Sequence, residues 1–146
     1  MVLPSHRPIN MQSEPEWKYV VTSTDDNNTW KAYYDAANID RQQAGIVRVW
    51  LKQVPITKTK TEKLRIVNRI IENRILNKMS VKGYERYAYS LTLLEIDCPR
   101  SQGRSISIKD YDQTDKLLSS DTVQGTPFAP ILEMSWPAMI RDAVCK

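Results

Sequence analysis

The strongest constraint on this chain's fold is a change of period between two strand-like stretches. GIVRVWLKQVPI (45–56) is β-branched and aromatic, and it runs into Pro55, which has no N–H to give a ladder. YERYAYSLTLLEIDC (84–98) is a second long strand. Between them apolar residues recur at helical rather than alternating spacing. Leu64, Val67, Ile71 and Ile75 mark one stripe, which Ile66, Ile70 and Leu76 widen, while Arg65, Asn68, Arg69, Glu72 and Asn73 face away. Thr59 followed by Glu62 reads as a capping box, and Gly83 lies beyond the far end. The spacing predicts a helix over about 61–78.

Strand signals surround this insertion. EWKYVVTST (16–24) alternates, and DDNN (25–28) is a turn cluster whose side chains bond their own backbone. TWKAYYDAANI (29–39) reads as a short strand through Tyr34 and then a turn. GRSISIKDYD (103–112) pairs with 84–98 across PRSQG, and KLLSS (116–120) follows as a short strand. TPFAP (126–130) is a proline-bracketed connection. SWPAMIRDAVCK (135–146) closes the chain as a helix, capped by Ser135, with Pro137 in its first turn and Trp136, Ile140, Ala143 and Val144 on one face. Successive strands joined by tight loops, with helices inserted and appended, imply an α+β domain on an antiparallel sheet of about five or six strands.

A length of 146 residues suits one domain with a real core. Residues 1–15, with three prolines, read as a flexible arm, and 16–146 as a single domain. No run reaches the length of a membrane-spanning helix, and the start lacks the apolar core of a signal peptide. That leaves a cytosolic protein or an exported one whose signal has been removed. A net charge of +4 with acids and bases interleaved permits a nucleic-acid partner without arguing for one.

Little catalytic chemistry is legible. The single histidine, His6, lies in the arm, no GxSxG is present, and four glycines leave little room for a phosphate-binding loop. The expectation is a non-enzymatic protein without cofactor or metal. Asp110, Asp112, Asp115 and Asp121 echo a calcium loop but lack its glycine and its bidentate glutamate, so a solvated turn is the better reading. The cationic set Lys58, Lys60, Lys63, Arg65, Arg69, Arg74 and Lys78, extended by Lys82 and Arg86, has two readings. It is a surface for an acidic polysaccharide, lipid headgroup or acidic protein, or else the solvated face of an amphipathic helix. Trp50 at a strand end and Trp30 beside a turn are the aromatic contact residues for a partner. A pocket between sheet and helix, lined by Tyr87, Tyr89 and Trp50, is the alternative site.

Two cysteines, Cys98 and Cys145, stand at the end of a strand and the end of the last helix. Composition alone leaves two readings even: a disulfide clamp, worth roughly 4 kcal/mol by chain entropy, or two free thiols in a reducing compartment.

The order EWKYV, AYYDAANI, GIVRVW, LLEIDCPRSQGRSIS and a Ser-capped helix with a penultimate cysteine resembles the bacterial surface-adhesin protein E family. The family's Trp-led first strand, tyrosine–aspartate turn, strand ending in Trp, Asp–Cys–x–Arg strand end and Cys-bearing final helix fall on Trp17, Tyr33 to Asp35, Val47 to Trp50, Asp97 to Arg100 and Ser135 to Cys145. The resemblance covers 16–56 and 84–146. It implies an exported domain, periplasmic, secreted or at the outer-membrane surface, with a lipid anchor on some mature forms. It also implies a Cys98–Cys145 disulfide tethering the last helix, and binding to a surface protein or acidic polysaccharide. Separately from the resemblance, an open antiparallel sheet leaves edges to cover, so a homodimer through a sheet edge or helix is an option. Family members usually cross from the Trp strand to the Asp–Cys strand by a shorter connection, so nothing is carried over to Thr57–Gly83.

Overall fold

A computed structural model describes residues 13–25, 28–123 and 125–146. Most of the expected arm lies outside those residues. Of its end, the Ser13 N–H donates to Asn38 Oδ1 at 2.9 Å, and the next strand is fixed where the Glu16 N–H meets Asp35 Oδ1 at 3.0 Å.

The fold is α+β. Strands β1 (Trp17–Asp25), β2 (Asn28–Asp35), β4 (Ile46–Ile56), β5 (Tyr87–Asp97), β6 (Gln102–Asp112) and β7 (Leu117–Thr122) form an antiparallel sheet in chain order. Two-residue strands β3 (Asp40–Arg41) and β8 (Ala129–Pro130) extend it beside β4 and β6. Helix α1 (Lys60–Leu76) joins β4 to β5, and α2 (Trp136–Val144) ends the chain. β4 continues one residue past Pro55, which pairs with Trp30 of β2. Beyond Gln53 that strand has no β5 partner, so the missing N–H falls where the sheet is one-sided.

The α1 N-terminus follows its expected chemistry with one change. Thr59 Oγ1 accepts the Glu62 N–H at 3.1 Å, but Glu62 reaches back to the Lys58 N–H, at 2.7 Å, rather than to that of Thr59. The helix stops at Asn77, and Gly83 instead opens a one-turn 3-10 helix, Tyr84–Arg86, that carries Tyr84 into the core.

The inward face of α1 differs from the expected stripe. Ile66, Val67 and Arg74 are buried and Ile70 and Ile71 half-buried, whereas Leu64, Ile75 and Leu76 are exposed. Positions 66, 67, 70 and 74 share a face at 3.6 residues per turn. A polar residue at its centre hides that stripe from a hydropathy reading.

One sheet face carries both helices. Under α2, Val47, Val49, Leu51, Leu94 and Ile96 meet Ile140 and Val144, the last two fully buried. At the chain end a disulfide joins Cys98 to Cys145, Arg41 Nη1 donates to the Val144 carbonyl at 2.8 Å, and Arg141 Nη1 donates to Ser101 Oγ at 2.7 Å. Gly45 accepts the Cys98 N–H beside this tether. Its φ of +78° favours glycine, and a Cβ there would lie 2.7 Å from Pro99.

The opposite face holds Trp50, Tyr89, Leu91, Leu93 and Tyr111. Lys52 lies over the rings of Tyr89 and Trp17, and Lys109 over Trp50. Burial lowers both lysine pKa values. Arg48, Glu95 and Arg104 form one register row across β4, β5 and β6, with Glu95 accepting from both arginines at 2.8 Å. Burial alone would raise the Glu95 carboxyl; the two guanidiniums outweigh it and hold it below the ordinary value.

Candidate functional site

The pleat sets a polar row across the helix-bearing face. Gln53 on β4 pairs with Ser90 on β5, Ser90 with Asp110 on β6, and Asp110 with Ser119 on β7. Register partners point the same way, so four polar side chains stand in line between the α2 core and α1.

Most of the row is satisfied internally. Ser90 Oγ donates to Asp110 Oδ1 at 2.6 Å, which uses its only proton, so the Tyr87 phenol 2.6 Å away donates to Ser90. The Tyr84 phenol donates to Asp110 Oδ2 at 2.6 Å and lies 2.6 Å from Ser119 Oγ. Arg74 enters from α1. Its Nη1 is 3.7 Å from both Asp110 and Asp121, its Nε donates to the Ser80 carbonyl at 2.6 Å, and its guanidinium covers the Tyr84 ring at 4.4 Å. Both phenols are pushed above the ordinary tyrosine value. Burial is the main cause, and for Tyr84 the hydrogen bond to Asp110 adds to it.

At the Gln53 end the row opens. A cleft of about 510 Å³ lies there, with Ser23, Gln53, Ser90 and Asp110 on its floor. Trp30 from β2, Ile70 from α1, Tyr87 from β5 and Trp136 from α2 line it as well. The Gln53 side chain is half-buried and makes no hydrogen bond among the described residues. Trp136 also lines a second, more apolar groove of about 410 Å³ with Leu94, Ile96 and Ile131.

The residues singled out from sequence divide sharply. Lys58, Lys60, Lys63, Arg65, Arg69, Lys78, Lys82 and Arg86 are exposed on or beside α1. Arg74 does not belong with them: at 9% exposure it is the buried latch just described. Arg65 donates to Asn28 Oδ1 at 3.2 Å. Trp30 is half-buried and lines the cleft. Trp50, expected at an exposed strand end, is 3% exposed on the other face, because it sits in mid-β4 opposite Leu93 and packs with Tyr89, Leu91 and Tyr111 under Lys109. The expected trio of Tyr87, Tyr89 and Trp50 does not share a face either. A register shift between Tyr87 and Tyr89 breaks the alternation, leaving Tyr87 beside α1 and Tyr89 with Trp50.

The aspartate-rich turn has its own internal account. Asp112 Oδ1 accepts from the Thr114 N–H, the Thr114 hydroxyl and the Lys116 N–H at 2.7–3.0 Å, as a turn-forming carboxylate does. No group of metal-ligating side chains occurs among the described residues.

Sequence reasoning missed Gln53, Ser90, Ser119 and Trp136 as a set. The missing information was register: each is an ordinary residue until the strands are aligned. No helix among the described residues is long and apolar enough to cross a membrane. No protein-family model, curated protein or solved structure matches the chain.

Proposed function

We propose that this chain is an exported, non-enzymatic binding domain that captures a small ligand in the cleft between α1 and α2. The carrying observation is the Gln53 amide, without a partner among the described residues, on a floor where Ser90 and Asp110 are held rigidly and three aromatic rings contribute to the lining. A preorganised polar group among fixed rings is how a small-molecule site supplies both orientation and contact area. The Cys98–Cys145 disulfide supports export, since such bonds persist in oxidising compartments. So does the resemblance to surface-adhesin protein E.

A second reading, adhesin-like contact with a protein or acidic polysaccharide, is favoured by the exposed residues of α1 and its end, where Leu64, Ile75 and Leu76 are in solvent and Lys60, Lys63 and Lys78 are exposed as well.

The test is a thermal-shift screen of small metabolites and glycans against the wild type and a Gln53→Trp variant that plugs the cleft. Ligands that stabilise the wild type and leave the plugged variant unmoved support the reading. Stabilisation that survives the plug, or none at all, overturns it.

A further inference from the structure

The chemistry of the cleft narrows the ligand, given that the cleft is the binding site. Among the described residues that line it Asp110 is the only charged one, and its counter-ion Arg74 lies 3.7 Å away, shared with the more exposed Asp121 outside the lining. A cationic ligand would therefore meet a carboxylate that has its counter-ion. An anionic one would meet no cationic side chain among the described lining residues, and would approach Asp110. A wholly apolar ligand would strand the Gln53 amide, whose two donors and one acceptor would lose water without replacement.

The remaining class is neutral, with one apolar face and several groups that both donate and accept. Ser90 has given its proton to Asp110, and both Asp110 oxygens retain lone pairs beyond the hydroxyls they bind, so this end of the floor accepts. Gln53 does both. Trp30, Tyr87 and Trp136 present ring surface to C–H groups.

We infer that the cleft binds a neutral sugar residue. Its hydroxyls donate to Asp110 and Ser90 and exchange hydrogen bonds with Gln53, and its C–H face lies on the tryptophan rings. This is a different ligand from the acidic polysaccharide that the exposed lysines of α1 would attract.

Tryptophan fluorescence and saturation-transfer NMR, on the disulfide-intact protein, test it with methyl glucoside, methyl mannoside, N-acetylglucosamine and cellobiose as neutral probes. Glucuronate, glucosamine and uridine serve as charged and planar comparators. The expected result is saturable binding of at least one neutral sugar, weakened about tenfold or more by Gln53→Leu and by Trp136→Ala. Gln53→Leu removes the amide at nearly constant volume, so it reads recognition even if Trp136→Ala loosens α2. Salt up to ~0.5 M leaves sugar affinity within about twofold, since no net charge is neutralised. Glucuronate, glucosamine or uridine binding tighter than every neutral sugar, and lost with Gln53→Leu, overturns the sugar assignment while leaving the cleft as the site. Failure of every probe in a protein whose cleft binds another class of molecule also overturns it. If the plugged variant shows that the cleft binds nothing, the underlying functional reading falls with it.

Discussion

The two helices sit on the same sheet face but are attached in opposite ways. α2 is nine residues long and held by Ala138, Ile140 and Val144, all buried, with a disulfide immediately after its last turn. α1 is nearly twice as long, yet it buries only Ile66, Val67 and Arg74, and leaves Leu64, Ile75 and Leu76 in solvent. The short helix is clamped by apolar contact and a covalent bond, both indifferent to protonation over the physiological range. The long helix is latched by a guanidinium lodged between two carboxylates and a phenol. An apolar clamp tolerates small shifts. A charge-paired latch tolerates few, because each group displaced is left buried and without its partner. The cleft lies between the two, with Trp136 supplied from the clamped side and Ile70 from the latched one.

The largest effect is expected from cutting the clamp. Replacing both cysteines by serine removes the constraint on a loop spanning 47 residues and costs about 4 kcal/mol by chain entropy, less whatever the native bond stores in strain. Urea unfolding of the double variant against the oxidised wild type measures it. A loss under about 1 kcal/mol would mean that Ile140, Val144 and the Arg41 and Arg141 contacts hold α2 unaided.

Next comes the latch. Arg74→Met keeps the side chain's length but leaves Asp110 buried without its counter-ion, at an expected cost of about 3 kcal/mol. Adding Asp110→Asn removes the stranded charge and should restore part of that loss, so the double variant is more stable than the sum of the singles predicts. Strict additivity would show that the pair does not couple across 3.7 Å.

Much of the clamp was legible in sequence, and little of the latch. Ser135 as N-cap, Pro137 in the first turn and the face shared by Trp136, Ile140 and Val144 all hold, because hydropathy and capping residues are local signals. The strands were legible for the same reason, to within a few residues. For α1 the apolar count misled. Ile66, Val67, Ile70 and Ile71 are common to the expected and observed faces, but the expected one also ran through Leu64, Ile75 and Leu76, which are exposed. Arg74, the residue that fixes the rotation, looks like one more surface cation until Tyr84 and Asp110 are brought to it from further along the chain. The polar row was invisible for a related reason. Gln53, Ser90, Asp110 and Ser119 carry no shared spacing, and only strand register aligns them.

Alkaline pH separates the two attachments without heavy mutation. The folded-state values of Tyr84 and Tyr87 are raised above 10.0, by burial first. Their contribution is complete below pH ~10 and is lost as pH rises toward the folded values, by about 1.4 kcal/mol per pH unit for each phenol kept protonated in the fold. Tyr84→Phe should cost about 1–2 kcal/mol at pH 8, by leaving Asp110 one donor short, and should make the decline above pH 10 shallower by one group. Unfolding midpoints between pH 8 and 11 give both numbers. An unchanged slope would mean that the Tyr84 phenol titrates normally, and that the latch is looser than its 2.6 Å hydrogen bonds indicate.

The smallest expected effect discriminates between the two faces proposed for α1. If the helix packed by its expected stripe, Leu76→Lys would place a charge against the sheet and cost several kcal/mol. With Leu76 82% exposed, the same change should alter stability by less than about 0.5 kcal/mol. Ile66→Ala, on the observed inner face at 3% exposure, should cost about 2–4 kcal/mol. The pair is informative together, because Ile66 faces inward on both the expected and the observed packing and calibrates the cost of burial, while Leu76 alone reports which side of the helix meets the sheet. If Leu76→Lys is the costly one, Arg74 no longer points at Asp110, and the latch, the polar row and the cleft beside it all have to be redrawn.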